Sequence, residues 1–230
     1  MKILAIDTAT ENCSAALLID GALTTREALL ERGAAEHILP MVEELLGTAA
    51  IAVSTLDAIA FGRGPGGFTG VRLAASVTQG LAYAAGLSVV PVSDLRALAQ
   101  RALDGGAGPR VLVCADARMA EVYWGCFSGD AHGTAHPVGG EHVGKPETVD
   151  LPSDWAPAEA SGIGSGFAAY PQLRTRLAAS LKSIEATWLP RAAEIARLAV
   201  AEVEAGRLQP PQQAVPVYLR DEVARPGARH

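Results

Sequence analysis

The sequence predicts an α/β protein, and three observations carry that prediction. Short apolar strands alternate with amphipathic helical stretches through the first hundred residues. Between one such strand and one such helix lies Gly62-Arg-Gly-Pro-Gly-Gly-Phe-Thr-Gly-Val-Arg72, a turn built largely of glycine. The opening run Ile3-Leu-Ala-Ile-Asp7 is echoed by Val111-Leu-Val-Cys-Ala-Asp116, each an apolar strand, then Asp, then a small-residue turn. The echo reads either as two related lobes or as the chance likeness of two apolar strands.

In chain order, Lys2 to Ile6 reads as a strand ending at Asp7, and Ser14 to Ile19 as a second. Asp20-Gly21 supplies a hairpin turn before a strand-like run from Leu23. His37 to Leu46 is helical, with Ile38, Met41, Val42, Leu45 and Leu46 on one face and Gly47 as its stop; Pro40 requires that the helix begin shortly before it. Asp57 to Phe61 is a strand feeding the glycine loop, and Val71 to Leu81 is helical up to Gly86. Leu87 to Val92 is a strand, after which Ser93 caps a helix through Leu95, Leu98, Ala99 and Ala102.

Asp104-Gly-Gly-Ala-Gly-Pro109 marks a boundary, dividing the chain into lobes 1–103 and 104–230, with the extreme C-terminus packing back on the first. Beyond it the reading is strands at 111–116 and 121–127, irregular loops from 128 to 160, and a helix over Ala192 to Ala205. Val215 to Leu219 is extended but confined by its proline to a sheet edge or a non-strand path, and 225–230 reads as a frayed end.

Composition excludes several classes. The chain is 230 residues long, long enough for a proper core, and 49% of it is hydrophobic. Its formal charge of −6 gives no footprint for holding nucleic acid unaided. Three cysteines without a C-x-x-C read as buried thiols in a reducing compartment. Neither a signal-peptide core nor a membrane span is present, so a cytoplasmic location is expected.

His132 and His136 have a metal-like spacing, but surrounding Gly and Pro prevent a helix, and His37, His142 and His230 add no cluster. No metal is expected. Gly164-Ser165-Gly166 lacks the context of a nucleophile elbow. The glycine loop is neither a Walker A nor a Rossmann fingerprint, which leaves it as a phosphate-facing turn or a packing device. Asp7 and Asp116 end apolar strands, where a carboxylate serves either Mg²⁺ or, more commonly, the N–H groups of the next turn.

Taken together, Ile3 to Thr10, Ile38-Leu-Pro-Met41, Gly62 to Arg72, Asp116-Ala-Arg-Met119 with Glu121-Val-Tyr-Trp124, and Pro216-Val-Tyr-Leu-Arg220 resemble the TsaB (YeaZ-type) family of bacterial tRNA threonylcarbamoyladenosine biosynthesis proteins, nearly end to end. The resemblance implies a two-lobed actin/Hsp70/sugar-kinase-like fold of mixed sheets flanked by helices. It implies a non-catalytic scaffolding or activating subunit acting with TsaD and the ATPase TsaE. That assembly transfers threonylcarbamoyl to the adenosine next to the anticodon of tRNAs reading ANN codons.

Two departures fit a lost chemistry. The catalytic relatives carry two metal-binding histidines where this chain reads Ser93-Asp-Leu-Arg-Ala97, and Ala9 stands where the superfamily's phosphate turn has glycine. On this reading no catalytic residue and no cofactor belong to the isolated chain, ATP or ADP enters only with the complex, and tRNA is reached through the partner. Ile38, Met41, Val42 and Leu45, with Ala74, Ala75, Thr78 and Ala82, are the expected interface, with TsaD or with a second copy. Gly64, Gly66, Gly67, Thr69 and Arg72 are expected near any nucleotide at that junction. Val42→Glu or Ala75→Arg would then abolish partner binding. The alternative is a stand-alone ATP/Mg-dependent sugar-kinase-like enzyme using Asp7 and Asp116.

Overall fold

A computed structural model describes residues 1–220; the expected frayed end at 225–230 lies outside the described residues. The first five strands are β1 (Lys2–Asp7), β2 (Asn12–Ile19), β3 (Ala22–Leu29), β4 (Ala58–Gly62) and β5 (Val89–Val92), arranged β3-β2-β1-β4-β5. Within this sheet β1 pairs antiparallel with β2 and parallel with β4. The second set is β6 (Arg110–Asp116), β7 (Val122–Gly129), β8 (Ala135–Gly144), β9 (Ala160–Ile163) and β10 (Leu181–Glu185), arranged β10-β9-β6-β7-β8. Here β6 pairs antiparallel with β7 and parallel with β9. Read from the first strand of each, the two orders are the same. The echo between Ile3–Asp7 and Val111–Asp116 is therefore a repeated topology: β1 and β6 hold the same central place.

Helices α1 (Ala34–Ala49) and α2 (Phe68–Ala85) cover one face of the first sheet, packing Ile38, Val42, Leu45, Ala74 and Ala82 on Leu4, Ile6, Leu17 and Phe61. Strand alternation sends Ile3, Ala5 and Ala60 to the opposite face, where α6 (Ala192–Glu204) brings Ile195, Ala196 and Ala199. On the second sheet, α3 (Asp94–Asp104) packs Leu95, Leu98 and Ala102 on Val111, Val113 and Phe127. The other face carries α4 (Gly166–Ala169) and α5 (Pro171–Leu177), with Phe167, Leu173 and Leu177 on Leu112, Cys114 and Cys126. Packing thus crosses the sequence boundary at 103/104: α3, before it, lies on the second sheet, and α6, well after it, lies on the first.

Local expectations fare unevenly. Ser93 caps α3, its hydroxyl accepting the Arg96 amide, and Gly86 closes α2 at φ 68°. Helix α1 starts at Ala34, three residues earlier than expected, which places Pro40 inside it. Proline removes one backbone bond and costs about 3 kcal/mol in a helix interior; here Pro40 and Glu36, whose carbonyl loses that bond, are both exposed residues. The expected irregular stretch 128–160 instead contains β8. Pro137, Gly139 and Gly140 hide that strand from a sequence reading, but β8 is a sheet edge and its pairing with β7 shifts register between Trp124 and Cys126. Among the described residues no helix is long and apolar enough to cross a membrane.

Candidate partner face and interlobe cleft

The glycine loop leaves β4 at Gly62 and folds down onto the turn between β1 and β2. The Gly67 amide donates to the Ala9 carbonyl at 2.8 Å, and the Thr8 hydroxyl donates to the Gly70 carbonyl at 2.7 Å. Gly64 donates to Asp94 Oδ2 at 2.5 Å, and Val217 donates to the Arg63 carbonyl at 2.8 Å. A Cβ on Gly66 would sit 2.6 Å from the Ala9 carbonyl oxygen, and one on Gly70 would overlap the Thr8 carbonyl. These glycines let the loop and the head of α2 approach the 8–10 turn within backbone contact. This geometry serves packing, and Gly66, Gly67 and Thr69 also line the cleft between the lobes.

Beneath the loop lie two carboxyls. Asp7 and Asp94 are 0% and 2% exposed and flank the bare α-carbon of Gly62. One oxygen of each is satisfied, by the Ala9 amide at 2.8 Å and by the Gly64 amide; Asp7 Oδ2 and Asp94 Oδ1 have no other donor among the described residues. Burial raises the Asp7 pKa to about 6, against the Ala9 amide and the Asp94 hydrogen bond, which lower it. Burial and then the Asp7 charge push Asp94 well above the usual carboxylate range. Near neutral pH the buried pair therefore favours retaining a proton over carrying two charges.

The linkage has a definite sign. The folded chain retains a proton that unfolded Asp, with a pKa near 3.9, releases, so the pair's own contribution to stability is fullest below about pH 4 and falls as pH rises through 6 and beyond. Asp94→Asn, which removes the carboxyl with the most strongly raised pKa, should raise stability at pH 7.5 by roughly 1–3 kcal/mol and flatten the pH dependence between 5 and 8. Chemical denaturation across that range checks it.

Asp116, the counterpart of Asp7 in the second lobe, serves its own turn. It accepts the Arg118 amide and the Tyr170 hydroxyl, each at 2.9 Å, while the Ser165 hydroxyl accepts the Asp116 amide. Asp116 lines a cleft of about 1100 Å³ between the lobes, together with Ala9, Gly66, Gly67, Thr69, Arg118 and Tyr218; Asp7 does not reach it. The two aspartates are thus not brought together around one cation, and among the described residues no group of three or more His, Cys, Asp or Glu could hold a metal. His136 sits on the edge strand β8 and pairs with Asp130. All three cysteines are buried, and burial pushes Cys13 up to about 11 and Cys126 up to about 12, far from a reactive thiolate.

The expected interface residues are corrected by their burial. Ile38, Val42, Leu45, Ala74, Ala75, Thr78 and Ala82 all lie in the core of the first lobe, and Met41 is half-buried against it. An α/β helix turns its apolar stripe to its own sheet, and here the sheet takes the whole stripe. Val42→Glu should consequently unfold the chain, through an unpaired buried charge, rather than detach a partner; a collapsed melting transition would report it. Of the nucleotide-proximal residues, Gly66, Gly67 and Thr69 line the cleft, whereas Gly64 lies under Val217 and Arg72 turns outward between Phe68 and Tyr218.

What remains exposed on these helices is a different set. Along α2, Ser76, Gly80 and Ala84 recur every four residues on the solvent side, flanked by Tyr83, which is 71% exposed. Nothing lies within 4 Å of a Cβ placed on Gly80. On α1 the exposed row is Leu39, Pro40 and Glu43. Periodicity could have located these residues as the complement of the buried stripe; Asp94 was visible in the sequence only as a residue after a cap.

A family model described as TsaD, tRNA N6-adenosine threonylcarbamoyltransferase, matches residues 28–227. The chain is 40% identical over 224 residues to the tRNA threonylcarbamoyladenosine biosynthesis protein TsaB of Escherichia coli, covering 97% of this chain and 96% of that one. It is 36% identical over 232 residues to TsaB of Haemophilus influenzae, covering 97% and 95%. A crystal structure of a Pseudomonas aeruginosa protein described as similar to peptidase YeaZ superposes with a TM-score of 0.89 at 44% identity, over 95% of this chain and 99% of that one. YeaZ from the same organism gives 0.86 at 42%, over the same shares. With its paired sheets, its actin/Hsp70/sugar-kinase-like lobes and these relatives along nearly its whole length, the chain belongs to the TsaB (YeaZ) family of tRNA threonylcarbamoyladenosine biosynthesis proteins.

Proposed function

We propose that the chain is a non-catalytic, activating subunit of the tRNA threonylcarbamoyl transferase. It docks on a TsaD-type catalytic subunit through the outer face of α2 and the adjoining face of α1, and works with a TsaE-type ATPase. The observation that carries this reading is Gly80. Glycine in a helix interior is about 1 kcal/mol less favourable than alanine, and no contact among the described residues requires it. Ser76, Gly80 and Ala84 together form a shallow groove that lets a second helix approach closely, with exposed Tyr83 beside it on the same helix and exposed Leu39 on α1 as further apolar surface.

The lack of chemistry has its own support. Two donors of the glycine loop, the Gly64 and Gly67 amides, are engaged by Asp94 and Ala9, and the Asp7 carboxyl lies against Gly62 and Asp94 and does not line the cleft. At net charge −6 the chain leaves most tRNA phosphate contacts to its partner. Titration calorimetry tests the reading. A TsaD-type protein should bind the isolated chain, and the isolated chain should turn over no ATP. Steady ATP hydrolysis by the chain alone, or no association with the TsaD-type protein, would overturn it.

A further inference from the structure

We propose that Val215–Arg220 is a strap that latches the two lobes together across the mouth of the cleft, with Arg220 as its pin and the left-handed turn Arg118–Ala120 as its catch. The inference does not depend on which partner α2 receives.

The strap is rooted in the first lobe. Gln209 pairs with Val89 at the sheet edge, Gln79 donates to the Pro211 carbonyl at 3.2 Å, and Ala214 is buried in the core beneath α2. From there the chain runs back over the glycine loop. The Val217 amide binds the Arg63 carbonyl, and the Val217 carbonyl would lie 3.1 Å from a Cβ on Gly64. Tyr218 rests near Phe68, with ring centroids 6.5 Å apart, and the Arg72 guanidinium lies 4.8 Å from its ring. Val217 to Arg220 thereby form one wall of the cleft.

At its far end the strap reaches the second lobe. The Arg220 guanidinium donates to Glu121 Oε2 at 2.5 Å, to the Ala117 carbonyl at 3.3 Å and to Met119 Sδ at 3.3 Å, so it holds both flanks of one turn. Within that turn Arg118, Met119 and Ala120 have φ of 60°, 55° and 60°. Left-handed backbone costs a non-glycine residue about 1–2 kcal/mol, and runs of it are rare. Three in succession need external support. Asp116 braces one side through the Arg118 amide, and Arg220 braces the other. The second tie between lobes on this side, Arg118 to Glu11, is 75% and 47% exposed and correspondingly weak, whereas Arg220 and Glu121 are shielded to 21% and 33%.

The lobes cannot part at this mouth without drawing Arg220 off the turn, and once released the turn is free to relax its left-handed residues. Cleft opening and turn relaxation are thereby one event, and the relief of strain partly offsets the broken contacts. That gives the cleft two arrangements, strapped and open, in place of a continuum.

Hydrogen–deuterium exchange on the full chain tests the latch, comparing the wild type with Arg220→Ala and Glu121→Gln, which break the same contact from its two ends. Each variant should raise exchange at least tenfold at the amides of 117–121, and of Gly64, Gly67 and Val217, while exchange in β2 and α6 stays as in the wild type. Unchanged exchange at both segments would overturn the proposal. So would a rise spread evenly over the whole chain, since that would make Arg220 an ordinary stability contact.

Discussion

Gly80→Arg should weaken association with a TsaD-type subunit at least a hundredfold while leaving the isolated chain as stable as the wild type or more so. The two halves of this result come from one fact, the open space around Gly80. In the free chain an arginine there projects into water, and its helix propensity exceeds that of glycine by roughly 0.8 kcal/mol, so the melting temperature should hold or rise by about 2–3 °C. In a complex where another helix crosses at 8–10 Å over the Ser76–Gly80–Ala84 groove, the same side chain has nowhere to go. A hundredfold loss corresponds to about 2.7 kcal/mol, modest for a cation forced into the centre of a packed interface. Gly80→Ala should fall between the two, since a methyl group only partly fills the groove. Pull-down or calorimetry, beside a thermal melt, separates an interface effect from a folding effect. A variant that binds at wild-type affinity would move the docking face elsewhere.

The second large effect concerns stability. Gly70→Ala should destabilise the chain by at least about 3 kcal/mol, a fall in melting temperature of roughly 6–12 °C, because the added Cβ overlaps the Thr8 carbonyl where two backbone segments are already in contact. The position makes the result diagnostic. Gly70 lies in the first turn of α2, where alanine would by propensity be preferred. A loss of stability therefore reports the close approach of α2 to the 8–10 turn, which fixes the loop as part of the core. Unaltered stability would mean that the loop stands off that turn and is free for a ligand.

Much of the fold was legible because it rests on local signals. Alternation in Ile3–Ile6 splits neatly between two helical layers, Ser93 and Gly86 bound their helices, and the Asp7/Asp116 echo is the visible trace of a repeated sheet. What escaped was non-local. Strand β8 carries Pro137 and two glycines and is tolerated only because it is an edge, a property set by strand order and not by its own residues. The crossing of α3 and α6 onto each other's sheets has no sequence signature.

The site shows the same division. Periodicity named the apolar stripes of α1 and α2 correctly but could not say which side faced out, so Ile38, Val42, Leu45, Ala74, Ala75, Thr78 and Ala82 were placed at an interface that the chain's own sheet occupies. The loop glycines are equally ambiguous in the sequence, because the Gly64–Asp94 and Gly67–Ala9 bonds join residues distant in the chain. The Asp7–Asp94 pair joins residues far apart in the chain, and neither alone announces the other.

The most direct test of the account is threonylcarbamoylation of a cognate tRNA transcript with ATP, bicarbonate, threonine and the adenylate-forming enzyme. It would be run with TsaD-type and TsaE-type proteins alone, with the wild-type chain added, and with Gly80→Arg added in its place. A chain that contributes a docking surface and no chemistry predicts modification only when the wild-type protein is present, and none above background with Gly80→Arg. Full modification without the chain, or equal modification with the variant, would contradict it.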